Sequence, residues 1–254
     1  MIDTISKIIT EYLPQIPFGV TSVLDINKPS CTRLEKENLN TAIMFAFPYK
    51  VQEEAPKNLS RYSAVADYHN IVLPKLNALI DKLKINFPNN TFKAFCDYSP
   101  ILEVEAASKA GLGVIGKNGL LITKQYGSFV FLGEILCDIE IKECNLTAFC
   151  NNCGACLKVC PVALNKENCL SALTQKKGEL TLAEQEQIKK ATLFGCDICQ
   201  NVCPHNKKAK PTFLPEFLNS YRNEYSLGED HKNRPYAWRG PKVIERNYQI
   251  FNKK

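Results

Sequence analysis

No stretch of this 254-residue sequence stays apolar for the roughly 20 residues that a membrane-spanning helix needs. The opening segment, MIDTISKIITEYLPQIPF, has neither a basic start nor a small-residue cleavage site, which excludes a secretory signal there. There is no internal repeat and no low-complexity tract, so ordinary globular domains are expected. These absences place the chain in the cytoplasm, away from membranes, where thiols stay reduced. Cysteine, by contrast, is abundant. Twelve cysteines in such a compartment point to metal or redox chemistry rather than to disulfides. With 45% hydrophobic and 23% charged residues, the chain has the composition of one large folded domain or two modest ones.

Charge is unevenly placed. Residues 207–254 carry eleven Lys/Arg against five Asp/Glu, a surplus of six that accounts for the whole net charge of +6. A basic stretch of this kind suits a surface that meets phosphate, or else a solvated tail that keeps the chain in solution.

Residues 4–13 put Ile5, Ile8, Ile9, Tyr12 and Leu13 on one helical face ahead of Pro14. Residues 42–47, AIMFAF, form a short apolar run closed by Pro48 and predict a buried strand. The polar, proline-containing residues 49–60 read as a loop. From Tyr68 to Leu83 the spacing of Tyr68, Val72, Leu76, Leu79, Ile80 and Leu83 predicts a helix, kinked at Pro74 where a backbone donor is missing. A strand over 93–96 stops at Asp97, a helix over about 102–110 runs into the glycine-punctuated stretch 110–121, and residues 128–132 form another strand. Up to about residue 140 the alternation predicts an α/β or α+β layered domain. Beyond it lie cysteine-rich turns and one helix opened by Thr181-Leu-Ala-Glu184, a capping box.

The cysteines carry the chemistry. Cys150-x-x-Cys153-x-x-Cys156-x-x-x-Cys160-Pro161 has the spacing of the bacterial ferredoxin run, in which three thiolates wrap one cubane and the fourth serves a second. Cys196-x-x-Cys199-x-x-x-Cys203-Pro204 mirrors it. Cys150, Cys153, Cys156 and Cys203 then hold one [4Fe–4S] cluster. Cys160, Cys196 and Cys199 hold the other, with Cys169, which lies between the two groups, as the fourth ligand. Cys31, Cys96, Cys137 and Cys144 are left over as buried thiols. Two structural zinc sites are the alternative, but these pair C-x₂-C knuckles, whereas here cysteines recur at three-residue steps and end in Cys-Pro. The pattern therefore predicts an electron-transfer protein.

Several stretches, in order, resemble the epoxyqueuosine reductases, cobalamin-dependent iron–sulfur enzymes of tRNA modification. They are Ser60-Arg-Tyr-Ser-Ala-Val-Ala-Asp-Tyr-His-Asn70, Asp97-Tyr-Ser-Pro100, Ala110-Gly-Leu-Gly-Val-Ile-Gly-Lys-Asn118, Tyr126-Gly-Ser-Phe-Val-Phe-Leu-Gly133, Cys169-Leu-Ser-Ala-Leu-Thr-Gln175 and Gly195-Cys-Asp-Ile-Cys-Gln-Asn-Val-Cys-Pro-His-Asn206. Family members continue into a helical-repeat domain, of which Trp238-Arg-Gly and Glu-Arg-Asn247 resemble the start. The resemblance implies an α+β chain. Residues 1–140 would bind cobalamin in a layered α/β-type domain, 141–212 would form a ferredoxin-like double-cluster domain, and 213–254 a basic C-terminal segment.

It further implies reduction of epoxyqueuosine to queuosine at the wobble position of tRNA. Cobalamin would be reduced through the clusters by a low-potential donor such as flavodoxin or ferredoxin. The family's proton donor falls on Asp97. Partial burial after an apolar strand would raise its pKa, while the plainer role for an Asp there is to cap the turn or the next helix. Ser60, Arg61, Tyr68, His69, Asp97, Lys117, Asn118, Leu121, Ser171 and Asp197 are implied cofactor contacts. Gly111, Gly113 and Gly116 would let backbone approach the corrin, though Gly111 also suits a helix C-cap. His69 on a helix and the single tryptophan, Trp238, have plainer readings as a satisfied side chain and a core residue. Related alternatives are a cobalamin reductase of another electrophile, as in reductive dehalogenases, and a ferredoxin-like electron carrier.

Overall fold

The structure, a computed structural model, describes residues 1–24, 26–30, 38–141 and 150–253. They form two compact units, and the chain passes between them more than once. The first unit comprises Met1–Pro48, His69–Lys124 and Val130–Asn151, and the second comprises Tyr49–Tyr68, Gln125–Phe129 and Asn152–Lys254. This differs from the division at 140 and 212. The loop that leaves the strand at Pro48 belongs to the second unit, and the C-terminal segment contributes to that unit's core instead of standing apart.

In the first unit the elements run α1 (Ile2–Tyr12), β1 (Phe18–Ser22), β2 (Thr41–Pro48), α2 (His69–Asn86), β3 (Phe92–Phe95), α3 (Glu103–Lys109), β4 (Gly113–Ile115), β5 (Leu121–Thr123) and β6 (Val130–Cys137). The main sheet is wholly antiparallel with order β1-β2-β6-β3, and β4 and β5 form a separate hairpin. That order selects α+β over α/β. Every residue of β2 is buried, because this central strand is covered on both faces. Alternation then sorts the side chains. Ala42, Met44, Val130, Leu132 and Leu136 join the core with Ala106 and Ala107 of α3 and Ala110 at its C-cap. On the opposite face, a Cβ on Gly133 would meet Val72 and Leu76 of α2, so only glycine lets that helix approach. The expected helix of residues 68–83 is α2, which continues through Pro74.

The second unit contains α4 (Ala155–Val159), α5 (Leu170–Thr174), α6 (Leu182–Ile188), α7 (Ile198–Asn201), α8 (Pro215–Ser220) and α9 (Pro241–Asn252). Short helices of this kind do not stand alone and depend on packing. The capping box at α6 is present: Thr181 Oγ1 accepts the Glu184 N–H at 3.3 Å and Glu184 Oε2 accepts the Thr181 N–H at 2.9 Å. The core is aromatic, with Phe194, Tyr225 and Tyr236 buried beside Leu59, Ala64, Leu193 and Ile244. Phe194 and Tyr225 each meet Tyr236 edge-on, at 5.8 and 6.0 Å. Asn247 of α9 is fully buried and donates to the carbonyls of Thr174 at 2.7 Å and Leu193 at 2.8 Å, tying α9 to the cysteine-bearing segments.

Candidate functional site

In the first unit the reactive side chains gather where edge strand β3 ends. Asp97 follows in the left-handed conformation at φ 69°, which a short polar side chain tolerates better than most. Its N–H donates to Glu103 Oε1 at 2.8 Å. His69, the first residue of α2, holds Nε2 3.7 Å from Asp97 Oδ2, an ion-pair distance when the imidazole is protonated and too long for a hydrogen bond. The Asp97 side chain is 68% exposed, so the partial burial expected of it is not found. Nor does it cap the next helix: α3 has Leu102 at its N-cap and no side-chain cap bond.

Sequence reasoning missed two glutamates beside it, Glu134, which is buried, and Glu103, which is half-buried. Glu134 of β6 is fully buried. Ser99 Oγ donates to its Oε1, while Oε2 has no hydrogen-bond partner among the described residues. Burial pushes the Glu134 carboxyl well above its ordinary range, and the charge of Glu103 adds to the shift. Burial also pushes Glu103 up to about 7. The Asp97 N–H offsets part of this, the Asp97 charge adds to it, and His69 opposes it. A neutral carboxylic acid and a carboxyl that titrates near neutrality thus accompany the exposed Asp97. A charged residue inside the apolar run FVFLGEILC was the available signal for Glu134.

The other expected contacts of this unit divide. Lys117 is exposed, and Asn118 Oδ1 accepts the Leu120 N–H at 3.4 Å within the β4–β5 hairpin. Leu121 is buried in the apolar core. A Cβ on Gly113 would sit 2.3 Å from the Ile122 oxygen, so the pairing of β4 with β5 requires glycine there. Gly111, at φ 81°, follows the α3 C-cap and fills the capping role. Tyr98, Leu102 and Ile115 are exposed apolar side chains on this unit.

In the second unit α4 begins after the left-handed Gly154 and carries Cys156, and α7 carries Cys199 and packs against α4. The charges of Cys199 and Cys169 reach Cys196, whose thiol is pushed up to about 11, chiefly by burial. These three thiols therefore lie together. Among the described residues no group is arranged to hold a single metal ion, but a cubane carries its four irons at separate corners and takes its thiolates further apart. Cys96 and Cys137 are buried thiols as expected, whereas Cys31 and Cys144 lie outside the described residues.

A chain of buried hydrogen bonds holds the cysteine segment in place. The Arg61 N–H donates to Asp197 Oδ2 at 2.7 Å, Gln200 Nε2 to Asp197 Oδ1 at 2.9 Å, and Ser128 Oγ to Gln200 Oε1 at 2.8 Å. Asn206 Oδ1 accepts the Ser128 N–H at 2.7 Å, and its Nδ2 donates to Ser128 Oγ at 2.8 Å. Ser60 Oγ donates to the Phe194 carbonyl at 2.7 Å, and the Arg61 guanidinium is gripped by the carbonyls of Gln52, Glu53 and Glu54. The side chains of Ser60, Arg61 and Asp197 thus have partners within the protein and serve as the frame of the site. Gly195 shows how tight that frame is: at φ +81°, its Cβ would meet Ser60 Oγ at 2.2 Å. Ser171 is half-buried on α5, next to Cys169, and Tyr68 is half-buried just ahead of α2. Trp238 is 60% exposed with the Arg239 guanidinium 3.7 Å from its ring centre, so it is not the core residue that a lone tryptophan suggests.

A carboxyl cluster on an antiparallel α+β unit, joined to a cysteine-rich unit of paired short helices, defines an iron–sulfur oxidoreductase. Known proteins agree. Residues 33–98 match the family described as epoxyqueuosine reductase QueG, DUF1730, and residues 149–206 match the 4Fe-4S double cluster binding domain. The chain is 33% identical over 242 residues to the epoxyqueuosine reductase of Lactococcus garvieae, covering 84% of this chain and 68% of that protein. It is 37% identical over 169 residues to that of Pseudomonas aeruginosa, covering 63% and 46%. The solved epoxyqueuosine reductase of Streptococcus thermophilus superimposes with a TM-score of 0.81 at 28% identity, over 99% of this chain and 80% of that one. An epoxyqueuosine reductase solved with an epoxyqueuosine-modified tRNA stem loop shares the fold, with a TM-score of 0.81 at 24% identity, over 98% and 80%. The chain belongs to the epoxyqueuosine reductase family. It spans about two thirds of the Lactococcus relative and less than half of the Pseudomonas one.

Proposed function

We propose that this protein reduces epoxyqueuosine to queuosine at the wobble position of tRNA, in the cytoplasm, using cobalamin and two [4Fe–4S] clusters. Family membership over most of the chain carries the reading. Cys150, Cys153, Cys156 and Cys203 bind one cluster, and Cys160, Cys169, Cys196 and Cys199 the other. The grouping of Cys169, Cys196 and Cys199 supports the second set. Electrons enter singly from a low-potential donor such as flavodoxin or ferredoxin.

The first unit fits a large, mostly apolar macrocycle with polar side arms. Tyr98, Leu102 and Ile115 are exposed apolar surface, and Lys117, Asn118 and His69 offer polar contacts. Cobalamin, when bound, supplies a low-valent metal that is both a strong nucleophile and a strong reductant. The chain's own residues supply orientation and protons. An epoxide oxygen leaves poorly until it is protonated, and Asp97, exposed on a turn fixed by Glu103, delivers that proton.

The test is turnover. The protein is reconstituted anaerobically with iron, sulfide and cobalamin, then given a low-potential reductant and tRNA carrying epoxyqueuosine, and the digested nucleosides are analysed by mass spectrometry. Queuosine is the expected product. Intact epoxyqueuosine, with clusters and cobalamin spectroscopically present, would overturn the substrate and leave the redox core standing.

A further inference from the structure

Turning an epoxide into an alkene and water breaks two C–O bonds, forms one C=C bond, and consumes two electrons and two protons. The electrons come from the low-potential donor through the clusters. A single carboxyl gives one proton, so the site needs a second source next to Asp97. We propose that Glu103 holds the second proton of turnover and passes it through Asp97, whose turn it also positions. The inference rests on the reading of this chain as an epoxyqueuosine reductase.

Three observations carry it. Glu103 Oε1 accepts the Asp97 N–H at 2.8 Å, which couples the glutamate to the backbone of the proton donor. A carbonyl-type oxygen accepts this bond whether or not the carboxyl is protonated, so Oε2 can carry a proton without releasing the turn. The charge of Glu103 reaches Glu134, which is fully buried with one oxygen lacking a partner among the described residues, so Glu134 stays neutral and Glu103 is the carboxyl of the two that gives a proton up. The ionisable groups facing Glu103 are Asp97 from the turn, His69 from α2 and Glu134 from β6. The other strands packed on α3, namely β1, β2, β4 and β5, carry no ionisable side chain. Burial holds the Glu103 carboxyl near 7, where it is both occupied and able to give its proton up.

In the sequence of events, the two electrons from the donor go to the carbon that first loses its oxygen and later close the C=C bond as the second C–O bond breaks. Asp97 protonates the oxygen as the first C–O bond opens, leaving a hydroxyl and an Asp97 carboxylate. Glu103 reprotonates Asp97, by way of water or directly. Asp97 then protonates the hydroxyl, which departs as water when the second C–O bond breaks. Glu103 touches no substrate and is a positioning residue that acts through Asp97.

Glu103→Gln separates its two roles. The amide oxygen keeps the bond to the Asp97 N–H, but the side chain cannot release a proton. In the reconstituted enzyme the wild-type kcat should fall tenfold per pH unit above about 7, the side on which Glu103 is empty. Glu103→Gln should lose that descending limb and about a hundredfold in kcat, with KM unchanged. Glu103→Asp should recover part of the limb. Retention of the limb and of kcat in Glu103→Gln would overturn the proposal. Infrared titration of the cluster-loaded protein without cobalamin, labelled at glutamate carboxyls, gives an independent readout: the band lost in Glu103→Gln should titrate near 7. A wild type that leaves epoxyqueuosine intact sinks the functional reading alone, and this titration then decides the proton store. A Glu103 that titrates in the ordinary carboxylate range overturns it.

Discussion

In the second unit Cys196, Cys199 and Cys203 follow one another within two turns of chain, whereas in the first unit His69, Asp97, Glu103 and Glu134 arrive from a helix start, a turn, a second helix and a distant strand. The two regions place reactive groups by opposite means. A cubane dictates how far apart its thiolates stand, so short helices and Cys-Pro turns reproduce that spacing locally. A proton store needs only burial and a neighbouring carboxyl, and any fold that brings them together will serve. Local demands leave a pattern in the chain, while tertiary demands leave single residues.

Breaking the local arrangement has the larger effect. Cys153→Ser should cost the protein about half its iron and sulfide and all of its reductase activity, because one cubane loses a ligand and the electron path is cut. Iron analysis and low-temperature paramagnetic resonance check this. Full iron content would instead mean that Cys153 is not a ligand. Asp97→Asn comes next. Asn tolerates the left-handed turn as well as Asp does, so clusters and cofactor should remain while turnover falls by about 10²–10⁴. Near-normal turnover would remove Asp97 as proton donor.

The same contrast explains what could be read in advance. The cysteine spacing, the capping box at Thr181, the buried strand around Ala42–Phe47 and the long helix after Tyr68 were all legible, since each is a periodicity or a fixed offset. The β4–β5 hairpin was hidden in a glycine-rich stretch whose glycines invite a loop reading, although Gly113 is there because the paired backbone at Ile122 lies too close for a Cβ. Strand β1 is short and went unrecognised, as did α9, whose buried face is interrupted by the polar Asn247. For Asp97 the expected partial burial is not what the structure shows, since its side chain is exposed. The sequence around it shows an apolar strand but not the exposed turn that follows, and the burial expected of Asp97 falls on Glu134.

The two glutamates also tie stability to pH. Folded Glu134 keeps its proton at a pH where the unfolded chain has already lost it, so the folded state binds more protons and stability falls as pH rises. The loss begins near the ordinary carboxylate pKa and runs upward at about 1.4 kcal/mol per pH unit at most, until folded Glu134 ionises. Glu103 adds a similar decline that ends near 7. Glu134→Gln should flatten the first of these, so urea midpoints measured between about pH 5 and pH 8 should vary less than in the wild type. An unchanged pH dependence would mean that Glu134 is ionised in the folded protein.

The smallest effect tests what the basic stretch is for. Its surplus charge separates by residue type. Arg222 pairs with Glu229 at 2.6 Å, Arg234 donates to the Ser220 carbonyl at 2.7 Å, and Arg246 to the Lys176 carbonyl at 2.9 Å, so these arginines serve the second unit's own structure. Lys207, Lys208, Lys210, Lys232 and Lys242 are exposed. If phosphate is what they meet, the salt dependence of tRNA affinity belongs to the lysines. Replacing Lys207 and Lys208 together by Gln should reduce the slope of log affinity against log salt by about one for each lysine that contacts a phosphate. Arg246→Gln should leave that slope alone and lower stability instead, because it strips an internal bond and not a surface charge. A slope unchanged by the lysine replacements would return the basic stretch to solubility, with tRNA held elsewhere on the molecule.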